Sequence, residues 1–182
     1  QLAESIIERQ DAMMRETDQS SLCIYVGIPF CITRCSYCSF PAVVAKKGQR
    51  ESYVAALLQE IEAAGEMIRR QHKSICAVYM GGGTPTALTD QQMRCVMEAM
   101  QRAFGTGYQH QTHPDESMEY TVEAGRPDTI TREKLGIARM YGVNRLCINP
   151  QTMQNKTLER IGRRHTAEDI EACYALARQE GF

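Results

Sequence analysis

Three cysteines fall within Cys31-Ile32-Thr33-Arg34-Cys35-Ser36-Tyr37-Cys38, in the spacing C-x3-C-x2-C. Thiolates are soft ligands that favour zinc, copper(I) or iron–sulfur clusters over hard cations, and three of them on so short a loop can converge on one inorganic centre. A structural zinc could take Cys35 and Cys38 as a C-x2-C pair, but it needs a fourth ligand and usually a second pair, which the chain lacks. A four-iron cluster held by three cysteines leaves one iron without a protein ligand, and an open coordination position invites chemistry. The spacing i, i+4, i+7 would also align the thiols on one face of a core helix; Pro29 and the apolar run before it oppose a helix there.

Two further features could carry chemistry. Gly81-Gly82-Gly83-Thr84-Pro85 lets bare backbone approach a ligand, although the same turn would serve as a plain strand-to-helix connection. It is not a phosphate loop, since no Lys-Ser or Lys-Thr follows. Glu123 is an acid in an otherwise apolar stretch, where an unpaired carboxylate is costly to bury, so it requires a partner; Arg126 and Arg145 are candidates within the chain. The other five cysteines, Cys23, Cys76, Cys95, Cys147 and Cys173, sit in apolar contexts and read as ordinary buried thiols.

The elements that must position these residues follow from periodicity. Leu2, Ile6, Ile7, Met13 and Met14 recur at helical spacing over residues 2–16. Residues 22–28 form a nearly continuous apolar run, suited to a strand buried on both faces. An amphipathic helix follows over 49–71, then a strand over 75–80 that ends in the glycines, and a helix capped by Thr89 and running to about Phe104. Residues 105–116 read as a surface connection, 118–124 as a third strand, and 131–141 as a helix stopped by Gly142. Residues 145–149 form a fourth strand, and helical stretches over about 155–161 and 166–180 close the chain. Strands alternating with helices imply right-handed βαβ units and a parallel sheet. The expected fold is α/β, the opening part of a (β/α) barrel, with an open doubly wound sheet as the alternative. In either, sites lie at the C-terminal ends of strands, where the cysteines, the glycines, Glu123 and Gln151 all fall.

Composition bounds the class. The chain has 182 residues, 43% hydrophobic and 24% charged, enough for one globular domain with its own core. Lys and Arg number 21 against 22 Asp and Glu, so the net charge of −1 gives no electrostatic reason to expect nucleic acid or an anionic membrane as partner. No apolar stretch approaches the roughly 20 residues of a membrane span, and no secretory leader is evident, so a cytoplasmic protein is the default expectation. Gln1 at the start and Phe182 directly after a helix suggest truncation at both ends. On that reading, residues 1–20 are a lead-in helix from a preceding region and 21–182 the N-terminal portion of a partial TIM-barrel domain.

Tyr25-Val26-Gly27-Ile28-Pro29-Phe30-Cys31, the C-x3-C-x2-C loop and Gly81-Gly82-Gly83-Thr84-Pro85-Thr86 together resemble the radical S-adenosylmethionine enzymes, and within them the oxygen-independent coproporphyrinogen III oxidase group. Residues 121–130 and 148–153 look most like its HemZ-type branch. The resemblance runs from about residue 22 to 182. It implies a [4Fe-4S] cluster on Cys31, Cys35 and Cys38, with S-adenosyl-L-methionine bound at the open iron through its amino and carboxylate groups. It further implies that Tyr37 lies against the adenine, although packing alone would also supply a buried aromatic there. Gly81, Gly82, Gly83 and Thr84 match the loop for the methionine amino group, and Glu123 matches an acceptor of ligand hydroxyl or amino hydrogen bonds. Gln151 and Arg163 match positions that touch S-adenosylmethionine, and Tyr25 matches a tyrosine that approaches it. For Arg163 the alternative is a solvated helix end beside Arg164 and His165; for Glu123 it is a salt bridge.

The implied activity is radical decarboxylation of two propionate side chains of coproporphyrinogen III to vinyl groups, with a flavodoxin or ferredoxin as electron donor. One departure bears on it: the best-known oxidases of the group have a further cysteine where this chain has Phe40, and the heme-chaperone branch has an aromatic there. A heme-binding chaperone is therefore one alternative, and another radical enzyme, such as a methyltransferase, is a second.

Overall fold

The computed structural model describes residues 2–16, 20–106 and 118–182. Helix α1 (Leu2–Glu16) leads to β1 (Ser21–Ile28), the short strands β2 (Phe30–Cys31) and β3 (Val43–Val44), and helix α2 (Gln49–Arg70). Strand β4 (Ser74–Gly82), helix α3 (Asp90–Phe104), β5 (Glu119–Glu123), α4 (Arg132–Met140) and β6 (Arg145–Cys147) follow, then α5 (Asn155–Arg160) and α6 (Ala167–Gln179). Most of the surface connection expected over 105–116 lies outside the described residues.

Side-chain caps set several boundaries. Thr89 closes a capping box with Gln92 at the start of α3, and Thr166 does the same with Asp169 at α6. The Thr131 hydroxyl accepts from the Lys134 amide to start α4. Gly105, with φ of 70°, adopts at the end of α3 the left-handed conformation that only glycine takes cheaply.

The four long strands are parallel, in the order β1-β4-β5-β6. Each crossover therefore adds its strand on the same side of the one before, which is how a (β/α) barrel grows; a doubly wound sheet would return to the other side of its first strand. One face of the sheet carries Val26, Ile28, Val78, Met80, Tyr120 and Val122, all buried against α2, α3 and α4. Burying each such side chain contributes about 1.5–3 kcal/mol, so this face anchors the fold.

The opposite face differs from expectation. The register aligns Tyr25 with Tyr79, Tyr79 with Thr121, and Thr121 with Arg145, so polar groups line this side. Strand β1 is thus buried on one face only, and Tyr25 remains 59% exposed. The expectation of buried thiols also fails for two cysteines: Cys23 and Cys76 are exposed, with sulfurs 3.4 Å apart across a register shift between β1 and β4. Among the described residues no helix covers the face that carries Cys23 and Tyr25, and Cys76 is the extra residue at the register shift. Cys173 is buried as expected, and Cys95 and Cys147 are partly so. Helix α1 forms as its periodicity predicts, yet Ile6, Ile7, Met13 and Met14 stay exposed.

Candidate active site at the C-terminal end of the sheet

The cysteine loop leaves β1 at Pro29 and is pinned by backbone pairing that its sequence did not announce. Strand β2 pairs parallel with β3, and the Val43 amide donates to the Pro29 carbonyl at 2.8 Å. The Gly83 amide donates to the Ile28 carbonyl at 2.8 Å, joining the glycine turn to the base of the same loop. On its far side the Ser36 amide donates to the Ile161 carbonyl after α5 at 3.1 Å.

Close approach explains the glycines. A Cβ on Gly83 would lie 2.8 Å from the Phe30 carbonyl oxygen, and one on Gly82, whose φ is +114°, would lie 2.8 Å from that of Ile28. At Gly81 the vacant space is taken by the Tyr79 ring and the Glu123 carboxylate. Thr84, buried, donates to the Gly83 carbonyl at 2.8 Å, and its hydroxyl sits 3.4 Å from the Cys31 sulfur.

These pieces surround one cavity of about 240 Å³. Cys31, Cys35 and Cys38 line it together with Tyr37, Gly82, Gly83, Thr84, Glu123, Gln151 and Arg163. Two of the sequence-expected residues stay outside it. Tyr25 stacks on Tyr79 with ring centroids 6.0 Å apart, and Gly81 is covered as described. Gln151 has a φ of +66°, a left-handed conformation that costs a non-glycine residue roughly 1–2 kcal/mol and that clusters at functional sites.

Glu123 finds partners other than the arginines considered from sequence. Its carboxylate accepts from the Tyr79 hydroxyl at 2.7 Å and from the Gly82 amide at 3.2 Å, while Arg145 pairs with Glu119. The hydrogen bond to Glu123, then burial, push the Tyr79 phenol well above its usual range, so it stays a donor.

Arg163 is 8% exposed, which removes the solvated reading. Its guanidinium donates to the Gly125 carbonyl at 2.6 Å, the Asn149 carbonyl at 3.3 Å and the Tyr37 hydroxyl at 3.3 Å, drawing the ends of β5 and β6 toward the cysteine loop. Arg126, 2% exposed, donates to the Thr33 carbonyl at 2.7 Å and to the Cys35 sulfur at 3.2 Å. Sequence reasoning weighed Arg126 only as a partner for Glu123; nothing local signals that its side chain crosses to a loop some ninety residues earlier. Neighbouring His165 is buried, and burial, then the Arg163 charge, lower its pKa from the ordinary 6.5.

The donor set fits an anionic polynuclear group. Arg34, Arg126 and Arg163 line the cavity, and Glu123 is the one carboxylate residue among the lining. One Nη of Arg126 and the Nε of Arg163 are buried without a protein partner, and buried donors require acceptors. Among the described residues no three Cys, His, Asp or Glu side chains close on one metal ion. The three thiols offer separate attachment points around a shared space, as a cluster with its irons at separate corners requires.

Comparison with known proteins agrees with this geometry. The chain is 42% identical, over its full length, to the oxygen-independent coproporphyrinogen-III oxidase-like protein HemZ of Bacillus subtilis, and spans 36% of that protein. It is 33% identical over 87% of its length to the heme chaperone HemW of the same organism, spanning 39% of it. Among solved structures, coproporphyrinogen III oxidase (HemN) of Escherichia coli superposes with a TM-score of 0.72 and 27% identity, covering 89% of this chain and 35% of that one. The match to the Radical SAM superfamily runs over residues 25–182. With its parallel strands, its cysteine loop and its glycine turn in place, the chain belongs to the radical SAM superfamily, which uses a [4Fe-4S] cluster and S-adenosylmethionine.

Proposed function

We propose that this chain is the cofactor-holding part of an oxygen-independent coproporphyrinogen III oxidase-like enzyme, with residues 21–182 as the N-terminal portion of its barrel and 1–20 as a lead-in helix. The observation that carries the reading is the convergence of Cys31, Cys35 and Cys38 with the Gly82-Gly83-Thr84 turn, Glu123 and Arg163 on one cavity. The similarity of the whole of this chain to part of the HemZ protein supports the substrate class. Because the chain spans about a third of that relative, the tetrapyrrole substrate and its conversion are part of the proposal.

When bound, the cluster and S-adenosylmethionine supply one-electron reduction and hydrogen-atom abstraction from substrate, chemistry that belongs to the cofactor. The residues of this chain bind and orient. Cys31, Cys35 and Cys38 would ligate three irons, leaving the fourth for the amino and carboxylate groups of S-adenosylmethionine. Gly82, Gly83 and Thr84 present backbone to that amino group, and Gly81 leaves room for Glu123. Glu123, held by Tyr79, accepts hydrogen bonds from ligand hydroxyl or amino groups. Tyr37, Gln151 and Arg163 close the cavity wall. Tyr25 acts at one remove, by stacking on Tyr79. A flavodoxin or ferredoxin would donate the electron, in the cytoplasm. Among the described residues no helix is long and apolar enough to cross a membrane.

A second reading, a heme chaperone, is favoured by Phe40, which lines the cavity where a cysteine would mark the best-known oxidases, and by the similarity to the HemW protein. One experiment separates them. The full-length protein is reconstituted anaerobically with iron and sulfide and incubated with S-adenosylmethionine, a reductant and coproporphyrinogen III. 5′-Deoxyadenosine together with a vinyl-bearing porphyrin establishes the decarboxylase. Deoxyadenosine without new porphyrin overturns it, and heme binding in that protein then establishes the chaperone. If neither product forms and the protein holds zinc, the radical chemistry itself falls.

A further inference from the structure

We infer that Arg126 tunes the cluster: its guanidinium holds the sulfur of Cys35 by a charge-assisted N–H···S hydrogen bond and raises the cluster's reduction potential. The inference rests on the reading of Cys35 as a cluster ligand and goes beyond it, assigning a role to a residue to which the family resemblance gives none.

Arg126 is 2% exposed, and an isolated buried cation is expensive unless an opposite charge or full hydrogen bonding compensates it. Among the described residues no carboxylate forms an ion pair with it. Its hydrogen-bond acceptors are the Thr33 carbonyl at 2.7 Å and the Cys35 sulfur at 3.2 Å, and its other Nη has none. A neutral thiol is a weak acceptor and carries no counter-charge, whereas a cluster thiolate supplies both. The arrangement is therefore electrostatically complete only when Cys35 is a metal-bound thiolate.

The backbone that projects this side chain is fixed in advance. Arg126 precedes the 3-10 turn Pro127–Thr129, and its carbonyl accepts from the Thr129 amide at 2.9 Å and the Thr129 hydroxyl at 2.7 Å. That hydroxyl also meets the buried Thr86 hydroxyl at 2.6 Å, in the turn that follows the glycines. The guanidinium thus waits in place instead of being recruited by the ligand. Hydrogen bonds to the sulfurs and local net charge are levers that set cluster potentials, and both act here in one direction. Reduction adds negative charge to the cluster, so a fixed cation at a ligand sulfur stabilises the reduced form more than the oxidised one.

The test is an EPR-monitored redox titration of the full-length protein, reconstituted with iron and sulfide, as wild type, Arg126→Met and Arg126→Gln. Iron and sulfide are counted in each. Arg126→Met removes charge and donors at similar length. It should lower the midpoint by about a tenfold shift in the one-electron equilibrium, about 59 mV. Arg126→Gln, which keeps a donor but no charge, should move it in the same direction by less, and it decides the question if the Met variant does not fold. Loaded variants with the wild-type midpoint overturn the inference and leave Arg126 a packing residue. No porphyrin product is read, so failure of the decarboxylase reading leaves this comparison standing, while a wild type that takes up no cluster overturns both.

Discussion

Replacing Gly83 by alanine tests whether the glycine turn and the cysteine loop are one mechanical unit. A methyl group there would lie 2.8 Å from the Phe30 carbonyl oxygen and 3.0 Å from the Ala42 Cβ, both well inside ordinary contact. A side-chain clash could relax by a rotamer change, but Phe30 is in β2, pinned by its pairing to β3, and its ring is 1% exposed and packed edge-on against Tyr53. Relief therefore requires β2 to shift by some tenths of an ångström, and Cys31 is the next residue. Overpacking of this kind costs about 1–3 kcal/mol. At about 2–4 °C per kcal/mol for a domain of this size, Gly83→Ala should melt about 2–12 °C below the wild type. Gly125→Ala is the control, because it lines the same cavity and its methyl would meet nothing within 4 Å. It should remain within about 0.5 kcal/mol of wild type. Circular dichroism melts of the full-length protein without its cluster give the stabilities, and iron content after reconstitution gives the consequence for Cys31. If Gly83→Ala melts with the wild type and binds as much iron, the two loops are not coupled and the reasoning fails.

Three further outcomes follow from the same contacts. Tyr79→Phe removes one of the two hydrogen bonds to Glu123; in this half-exposed pair the loss is at the low end for a charged acceptor, about 1–1.5 kcal/mol, so S-adenosylmethionine binding to the reconstituted protein should weaken about tenfold by equilibrium dialysis, and an unchanged affinity refutes the role given to Glu123. Burial holds the folded-state pKa of His165 below 6.5, so the unfolded chain takes up that proton first and stability falls as pH drops from 6.5 toward the lowered value; between about pH 7.5 and about pH 5 the urea midpoint of the wild type should fall further than that of His165→Gln, and parallel declines would show that His165 does not titrate this way. Gly65→Ala in α2 should destabilise by about 1–3 kcal/mol despite better helix propensity, since its methyl would lie 2.8 Å from the Ala103 Cβ, whereas Gly136→Ala in α4, with nothing within 4 Å, should stabilise by about 0.5–1 kcal/mol; chemical denaturation of the two variants, with opposite signs expected, checks the helix packing.

Periodicity made most of the fold legible because it is a local signal of what each element buries. The helix over 49–71 is α2 at Gln49–Arg70, and Thr89, Thr131 and Thr166 start helices because a hydroxyl answers free amides wherever it occurs. The same logic misjudged β1. An apolar run says that a strand can be buried, not that both of its faces are, and Tyr25 and Cys23 lie on the side that no helix covers among the described residues. Nor could periodicity report β2 and β3, two residues each, whose pairing depends on where the loop returns.

Site legibility divides along a similar line. The thiols and glycines announce themselves by type and spacing, because soft ligands and missing side chains are properties of single residues. Charge compensation is a property of pairs brought together by the fold. Glu123 was visible as a carboxylate in need of a partner, yet its partners are a phenol two positions before Gly81 on the neighbouring strand and a backbone amide, while the nearby arginines turn elsewhere. Arg126 and Arg163 both line the cavity and bond carbonyls and a sulfur instead of Glu123. Had either paired with Glu123, the wall would be neutralised from within and would offer little to an anionic cofactor. Kept apart, the carboxylate presents acceptors for hydroxyl and amino groups while the arginines leave the cavity lining with an excess of positive charge. That separation would allow one cavity to meet the positive and negative ends of a zwitterionic ligand at once, and it follows from the strand register that pairs Met80 with Val122, bringing Glu123 to the glycine turn and carrying Arg126 past the end of β5.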